Sequence, residues 1–105
     1  SHSFNFGPSN KKDISVLELC NLLIDNWPNA MLSIDSNLSI GKECGLLKLD
    51  ISKANSFLQW NPLLSIKECS SMTSLWYFNR LHGQHAQDLC SNDIDFYTSK
   101  LSSYK

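Results

Sequence analysis

The sequence predicts an α+β fold that is mostly helical, with four or so helices and a few short strands. Three observations lead there. Two Ser-x-x-Glu capping boxes each open a run whose apolar residues recur every three or four positions, the period of a helix laid on a core. Apolar runs of about five residues, set off by Gly, Pro or polar stretches, have the length of short strands. The 105 residues, 11.9 kDa, amount to one domain by the rough prior of 100–200 residues per domain.

Taken in order, residues 1–3 read as an appended remnant or a flexible end, with His2 between Ser1 and Ser3. Phe4-Asn5-Phe6 alternates apolar and polar before the Gly7-Pro8 breaker, as a short strand does. Ser9 to Asp13 is a polar loop. Ser15 and Glu18 form the first capping box, with Ile14 and Leu19 at the staple positions. The helix they open carries Val16, Leu19, Cys20, Leu23 and Trp27, and Pro28 closes it. Ala30 to Ile34 predicts a short buried strand, Asp35 to Gly45 a loop, and Leu46 to Asp50 a further strand. Ser52 caps a short helix that ends near Trp60, before Asn61-Pro62. Ser65 and Glu68 form the second capping box and open the longest predicted helix. Its inward face is Cys69, Met72, Thr73, Trp76 and the stem of Arg80, with Leu75 and Phe78 on the flank. Gly83 is the left-handed residue after it. A short amphipathic segment, Asn92 to Leu101, ends the chain with Ile94, Tyr97 and Leu101 at helical spacing.

Composition excludes several functions. Nine basic and ten acidic residues give a net charge of −1, without the basic face that phosphate tracking needs, so no nucleic-acid partner is expected. No apolar run approaches the roughly 18 residues of a membrane span and no export signal precedes the first element, so the expectation is a cytoplasmic chain off the membrane. Charged residues are only 18%; 17 serines and 10 asparagines supply much of the polarity instead. Cys20, Cys44, Cys69 and Cys90 lack the close pairing of a zinc site and read as reduced structural thiols. His82-x-x-His85 offers two ligands at most and reads as a solvated turn, so no metal is expected.

Catalytic motifs are also missing. Gly7, Gly41, Gly45 and Gly83 never cluster as a dinucleotide or phosphate loop requires. Tyr97 and Lys100 stand three residues apart, whereas a short-chain dehydrogenase pair stands four apart on one helical face; Tyr97 reads as packing and Lys100 as solvated. Asp93 and Asp95 point to different sides of a helix, which weakens an acid–base reading of the pair.

Several segments, in order, resemble one family. Phe4-Asn5-Phe6-Gly7-Pro8 followed by a helix ending in Trp27-Pro28 is similar to the carboxyl-terminal part of CDP-glucose 4,6-dehydratases. Glu43-Cys44-Gly45-Leu46-Leu47-Lys48-Leu49-Asp50 resembles that family's His-Glu-Ala-x-x-Leu-x-Leu-Asp segment, with Lys42 at the histidine and Cys44 at the alanine. Ser52-Lys53-Ala54 and Leu58-Gln59-Trp60-Asn61-Pro62 resemble the Ser-Lys-Ala…Leu-Gly-Trp-x-Pro signature of extended short-chain dehydrogenases acting on nucleotide sugars. Gln59 stands at its glycine, where a helix ends at positive φ. Thr73 with Trp76-Tyr77, and Ile94 with Tyr97, fit the following helix and the tail.

The resemblance implies a fold, the carboxyl-terminal lobe of an extended short-chain dehydrogenase, and a fragment: a single partial domain over 1–105 that binds the nucleotide end of the substrate. The parent enzyme it implies is a lyase. It oxidises C4 of CDP-glucose with NAD, eliminates water across C5–C6 and returns the hydride to C6, in cell-surface polysaccharide synthesis. NAD and the catalytic groups belong to the missing Rossmann domain, so this chain alone is expected to have no catalytic residue, to bind no cofactor and to be inactive.

Lys42 and Glu43 are the candidate substrate-binding residues: a lysine can meet a diphosphate as a point charge, and a carboxylate can accept from a ribose hydroxyl. Both also read as solvated loop charges. Asn5 reads as a strand-end hydrogen bonder with a substrate-side role open to it, Lys53 as a surface residue, and Trp60 and Trp76 as core aromatics. Partners implied are the nucleotide sugar and the Rossmann domain, with self-association through the face that domain would cover. The alternatives are a fragment of another nucleotide-sugar epimerase or dehydratase, or a free-standing helical module that binds a protein.

Overall fold

The computed structural model describes residues 2–9, 14–34 and 49–103, and helices are the only repeating structure among them. They are α1 (Val16–Ile24), α2 (Ser52–Leu58), α3 (Ile66–Leu81) and α4 (Ala86–Ser103).

Both capping boxes form. The Ser15 hydroxyl accepts from the Glu18 N–H at 3.1 Å while the Glu18 carboxylate accepts from the Ser15 N–H at 3.4 Å. Ser65 and Glu68 repeat the exchange at 3.1 and 3.0 Å. Each box pairs amides that a helix N-terminus leaves without an internal partner. The exit of α1 comes earlier than the sequence suggests. The helix stops at Ile24, Trp27 donates its N–H to the Ile24 carbonyl, and a second turn, with Asn29 at φ 64°, is closed by the Ala30 N–H on the Trp27 carbonyl. Trp27 precedes Pro28, whose ring disfavours helical backbone in the residue before it.

Ser52 is the first residue of α2 and not its cap. Ile51 holds the cap position, and the Asp50 carboxylate accepts from both the N–H and the hydroxyl of Ser52. Gln59 then ends α2 in left-handed backbone, φ 54° and ψ 32°. The Asn55 side chain fixes this exit by donating to the Trp60 carbonyl and to Asn61. Gly83, at φ 97°, turns the chain after α3, where a side chain would be strained.

The longest helix is α4, not α3: it has 18 residues against 16 and begins at Ala86, six residues before the predicted start. Its first half, with Gln87, Asp88 and Ser91, is too polar to announce a helix by periodicity. Asp88 in the first turn suits the positive end of the helix dipole, and Leu89 is buried.

Packing makes α3 the centre of a three-helix layer, with α1 on one side and α4 returning antiparallel on the other. The α1–α3 contact includes one serine bond, and beyond the end of α1 Trp27 packs edge to face on Phe78 at 5.5 Å. Ser70 and Ser74 are the buried residues of α3, and their small side chains let the two backbones approach. Ser74 donates its hydroxyl to the Leu23 carbonyl, one of the four that the end of α1 leaves unpaired, and Asn26 donates to Ser71 at 2.9 Å. Along the α3–α4 hairpin the half-buried face of α4 is Ala86, Leu89, Asp93, Tyr97 and Lys100. Lys100 is therefore not solvated as expected: it donates to Glu68 at the start of α3. The predicted stripe lies partly outside, with Ile94 64% and Leu101 42% exposed.

The predicted strands at Phe4–Pro8 and Ala30–Ile34 do not form. A strand needs a neighbouring backbone to bond, and neither segment has one among the described residues. The alternation in Phe4-Asn5-Phe6 serves packing instead: the Phe4 ring centre is 6.1 Å from that of Phe57 of α2, and that of Phe6 5.1 Å from that of Trp60. Gly7 lies against Leu49 and Ile51. Of the third predicted strand, Leu49 and Asp50 are not strand and residues 46–48 lie outside the described residues, as does the loop 35–45. No described helix is long and apolar enough to cross a membrane.

Candidate functional site

Burial is sparse, and that locates the site. Among the described residues only Ile51, Ala54 and Leu89 are buried apolar side chains, whereas Met31, Leu81, Ile94, Phe57 and Tyr77 are each more than half exposed. Of these, Tyr77 and Leu81 sit together on α3, and apolar side chains grouped in water mark a surface built to be covered.

That face is the flank of α3 between its two neighbours. Thr73, Trp76, Tyr77 and Arg80 recur every three or four residues and so share one side of the helix. Thr73 and Arg80 were expected to point inward; both are exposed, because α1 and α4 sit on either side of α3 and leave this flank open. Trp76 and Tyr77 pack edge to face at 5.2 Å and form a ridge.

An open groove runs along each side of the ridge. Toward α1 it measures ≈ 490 Å³ and is walled by Leu23, Trp27, Ala30 and Leu81, with Arg80 as its charged group. Toward α4 it measures ≈ 370 Å³ and is walled by Leu64, Cys69 and Met72, with Asp93 as its charged group. Both volumes lie in the range of small-molecule sites, and both walls are almost wholly apolar. Burial pushes the Cys69 thiol up, and the Glu68 carboxylate beside it pushes the same way, so the thiolate that nucleophilic chemistry needs is disfavoured. The described residues contain no cluster of three or more metal-ligating side chains. This surface is suited to recognition through apolar and aromatic contact, with one cation and one anion on opposite sides.

The predicted site residues do not assemble here. Asn5 is exposed on the segment 2–9, without the strand end it was expected to bond. Lys42 and Glu43 lie outside the described residues, as does Cys44. Lys53 is exposed, as expected, with its ammonium 5.2 Å from the Phe4 ring centre and 5.9 Å from that of Phe57, a cation–π arrangement. Trp60 and Trp76 are half-buried rather than core. Cys20 and Cys69 are free and half-buried, and Cys90 is free and exposed. His82 is stacked on Phe78 with its Nδ1 2.7 Å from the Phe78 carbonyl, and His85 is exposed.

Sequence reasoning missed Tyr77, Arg80 and Asp93 as groove residues. The available signal was the repeat of Thr73, Tyr77 and Arg80 at four and three residues. Of these, Thr73 and the stem of Arg80 read as inward, and helix period alone does not say which side of α3 its neighbours leave open. Compared with known protein families, curated proteins and solved structures, the chain matches none.

Proposed function

We propose that this chain is the substrate-side carboxyl-terminal lobe of an NAD-dependent nucleotide-sugar 4,6-dehydratase of the CDP-glucose type, a cytoplasmic lyase whose Rossmann domain lies outside these residues. The observation that carries the reading is the backbone of Gln59. The stretch Ser52-Lys53-Ala54…Leu58-Gln59-Trp60-Asn61-Pro62 is a helix that ends in left-handed backbone at the one position where the resembling signature has glycine. The ridge on α3 adds support, since a lobe that closes over a second domain presents apolar surface to it. In this reading the lobe's work is binding: Lys42 opposes the diphosphate, Glu43 accepts from ribose and Asn5 lines the substrate side, while oxidation and water loss belong to the missing domain with its NAD.

A free-standing helical module is the second reading, favoured by the same exposed ridge. The coding sequence upstream of residue 1 separates them. A strand, a glycine-rich turn and a Tyr-x-x-x-Lys pair are expected there, and the full-length protein is expected to convert CDP-glucose to its 4-keto-6-deoxy product in preference to GDP- or dTDP-sugars. Absence of that upstream unit sinks the enzyme reading. Turnover of CDP-glucose by the 105 residues alone sinks the assignment of catalysis to a missing domain.

A further inference from the structure

We propose that α2 and Trp60 form a binding site for a peptide of the pattern aromatic-x-aromatic-Gly. Phe4-Asn5-Phe6-Gly7 fills that site within the chain, and a partner protein's segment of the same pattern displaces it. The inference does not rest on the enzyme reading. The site has two ring seats and one close approach. At the first seat Phe4 meets the Phe57 ring edge to face, 6.1 Å between centres, and the Lys53 ammonium lies 5.2 Å from the Phe4 centre and 5.9 Å from that of Phe57. At the second, Phe6 meets the Trp60 ring edge to face at 5.1 Å. Both kinds of contact depend on ring geometry and so select aromatic side chains. Asn5 between them is exposed, which leaves that position open to other residues. A Cβ at Gly7 would already stand 3.4 Å from that of Leu49 and 3.7 Å from Cγ2 of Ile51, so a branched side chain there is crowded.

The platform is fixed while its occupant is loosely held. Ile51 and Ala54 are buried, and Asn55 sets the position of Trp60 by donating to the Trp60 carbonyl. Among the described residues, no backbone hydrogen bond joins residues 2–9 to another segment. Phe6 is 52% and Phe57 61% exposed, so both seats are open to water on one side. A competing segment therefore has no ladder to break before it enters. A second copy of this chain offers only the segment the site already holds, against one tethered at high effective concentration. The displacing occupant is therefore a partner's segment that binds the same seats more tightly.

The test is fluorescence anisotropy of a labelled peptide of residues 2–9, titrated with the 105-residue chain as wild type, Phe4→Ala/Phe6→Ala and Gly7→Val. Circular dichroism checks that each variant keeps its helices. Emptying the site raises the fraction of chains competent to bind. The double variant is therefore expected to take the peptide saturably, roughly tenfold or more tighter than the wild type, whose own segment competes. Gly7→Val keeps both rings and opens the site by a second route, so it too is expected to bind more tightly than the wild type. Adding Phe57→Ala to the double variant is expected to abolish binding, as is replacing both phenylalanines of the peptide by alanine. No saturable binding to either opened chain overturns the proposal. So does equal affinity for the wild type and the double variant, or binding indifferent to Phe57→Ala. Sedimentation equilibrium is expected to show no dimer that depends on the segment; a wild-type dimer lost in Phe4→Ala/Phe6→Ala would give the site to a second copy and overturn the partner.

Discussion

Replacing Gln59 by glycine is expected to stabilise α2, and the magnitude follows from the backbone. Gln59 sits at φ 54° and ψ 32°, within the left-handed region, where Cβ crowds the following carbonyl oxygen at a cost of roughly 1–2 kcal/mol. Glycine removes that crowding but loses more backbone freedom on folding, worth about 0.5–1 kcal/mol in the opposite sense. The net gain lies between about 0 and 1.5 kcal/mol and centres on about 0.5–1 kcal/mol, or a roughly two- to fivefold change in a local opening equilibrium. Because α2 packs against the 2–9 segment and on no other helix, the gain belongs to that local unit. It is best read by amide hydrogen exchange. Asn55, whose N–H bonds the Ile51 carbonyl, and Trp60, whose N–H bonds the Ala54 carbonyl, report opening of α2. Their protection should rise two- to fivefold in Gln59→Gly, while amides of α3 stay as they were. Gln59→Ala keeps Cβ and should give no gain. Equal protection in the alanine and glycine variants, or a fall in Gln59→Gly, would refute the strain account.

Two further outcomes concern the layer around α3. Ser74→Ala strips the Leu23 carbonyl of its partner at a buried contact and should cost about 1–2 kcal/mol in urea denaturation. Ser70→Ala should be near neutral, because the Ser70 hydroxyl only bonds the Ile66 carbonyl of its own helix; equal losses in the two variants would break the argument. Hydrogen bonds from Lys100 first, and then from the Ser65 N–H, hold the Glu68 carboxyl below the ordinary glutamate range. A group depressed in the folded state stabilises fully above its unfolded pKa, about 4.3, and loses that contribution as pH falls through the lower folded value. Glu68→Gln should therefore narrow the stability gap from wild type as the pH drops from 6 toward 3. A gap constant over that range would show that the Lys100 contact contributes nothing.

Local signals were read well at both capping boxes and at Gly83, and missed at Ser52, which lies inside α2 instead of capping it. Ser15-x-x-Glu18 and Ser65-x-x-Glu68 became caps, and Gly83 became a left-handed exit, because those interactions span at most four residues. Where a second segment has a vote, the reading failed. Phe4-Asn5-Phe6 carries a strand's alternation but faces the rings of α2, so its period reports packing and not a ladder. The first half of α4 carries no apolar period, yet it is helical beside α3. Lys100 looked solvated because its partner, Glu68, is thirty-two residues away. Of the candidate site, the aromatic pair at Trp76 and Tyr77 was visible, while its exposure was not.

The sequence by itself determined where α1 and α3 start, through their capping boxes, and that Gly83 turns the chain after α3. Only the tertiary structure decided which faces are covered. Ser74 ties the end of α1 to α3, and Glu68 anchors α4 through Lys100, so two sides of one helix are taken. The flank between them keeps Thr73, Tyr77 and Arg80 in water. Helix period tells which residues share a side, but the positions of the neighbours decide whether that side is core or surface.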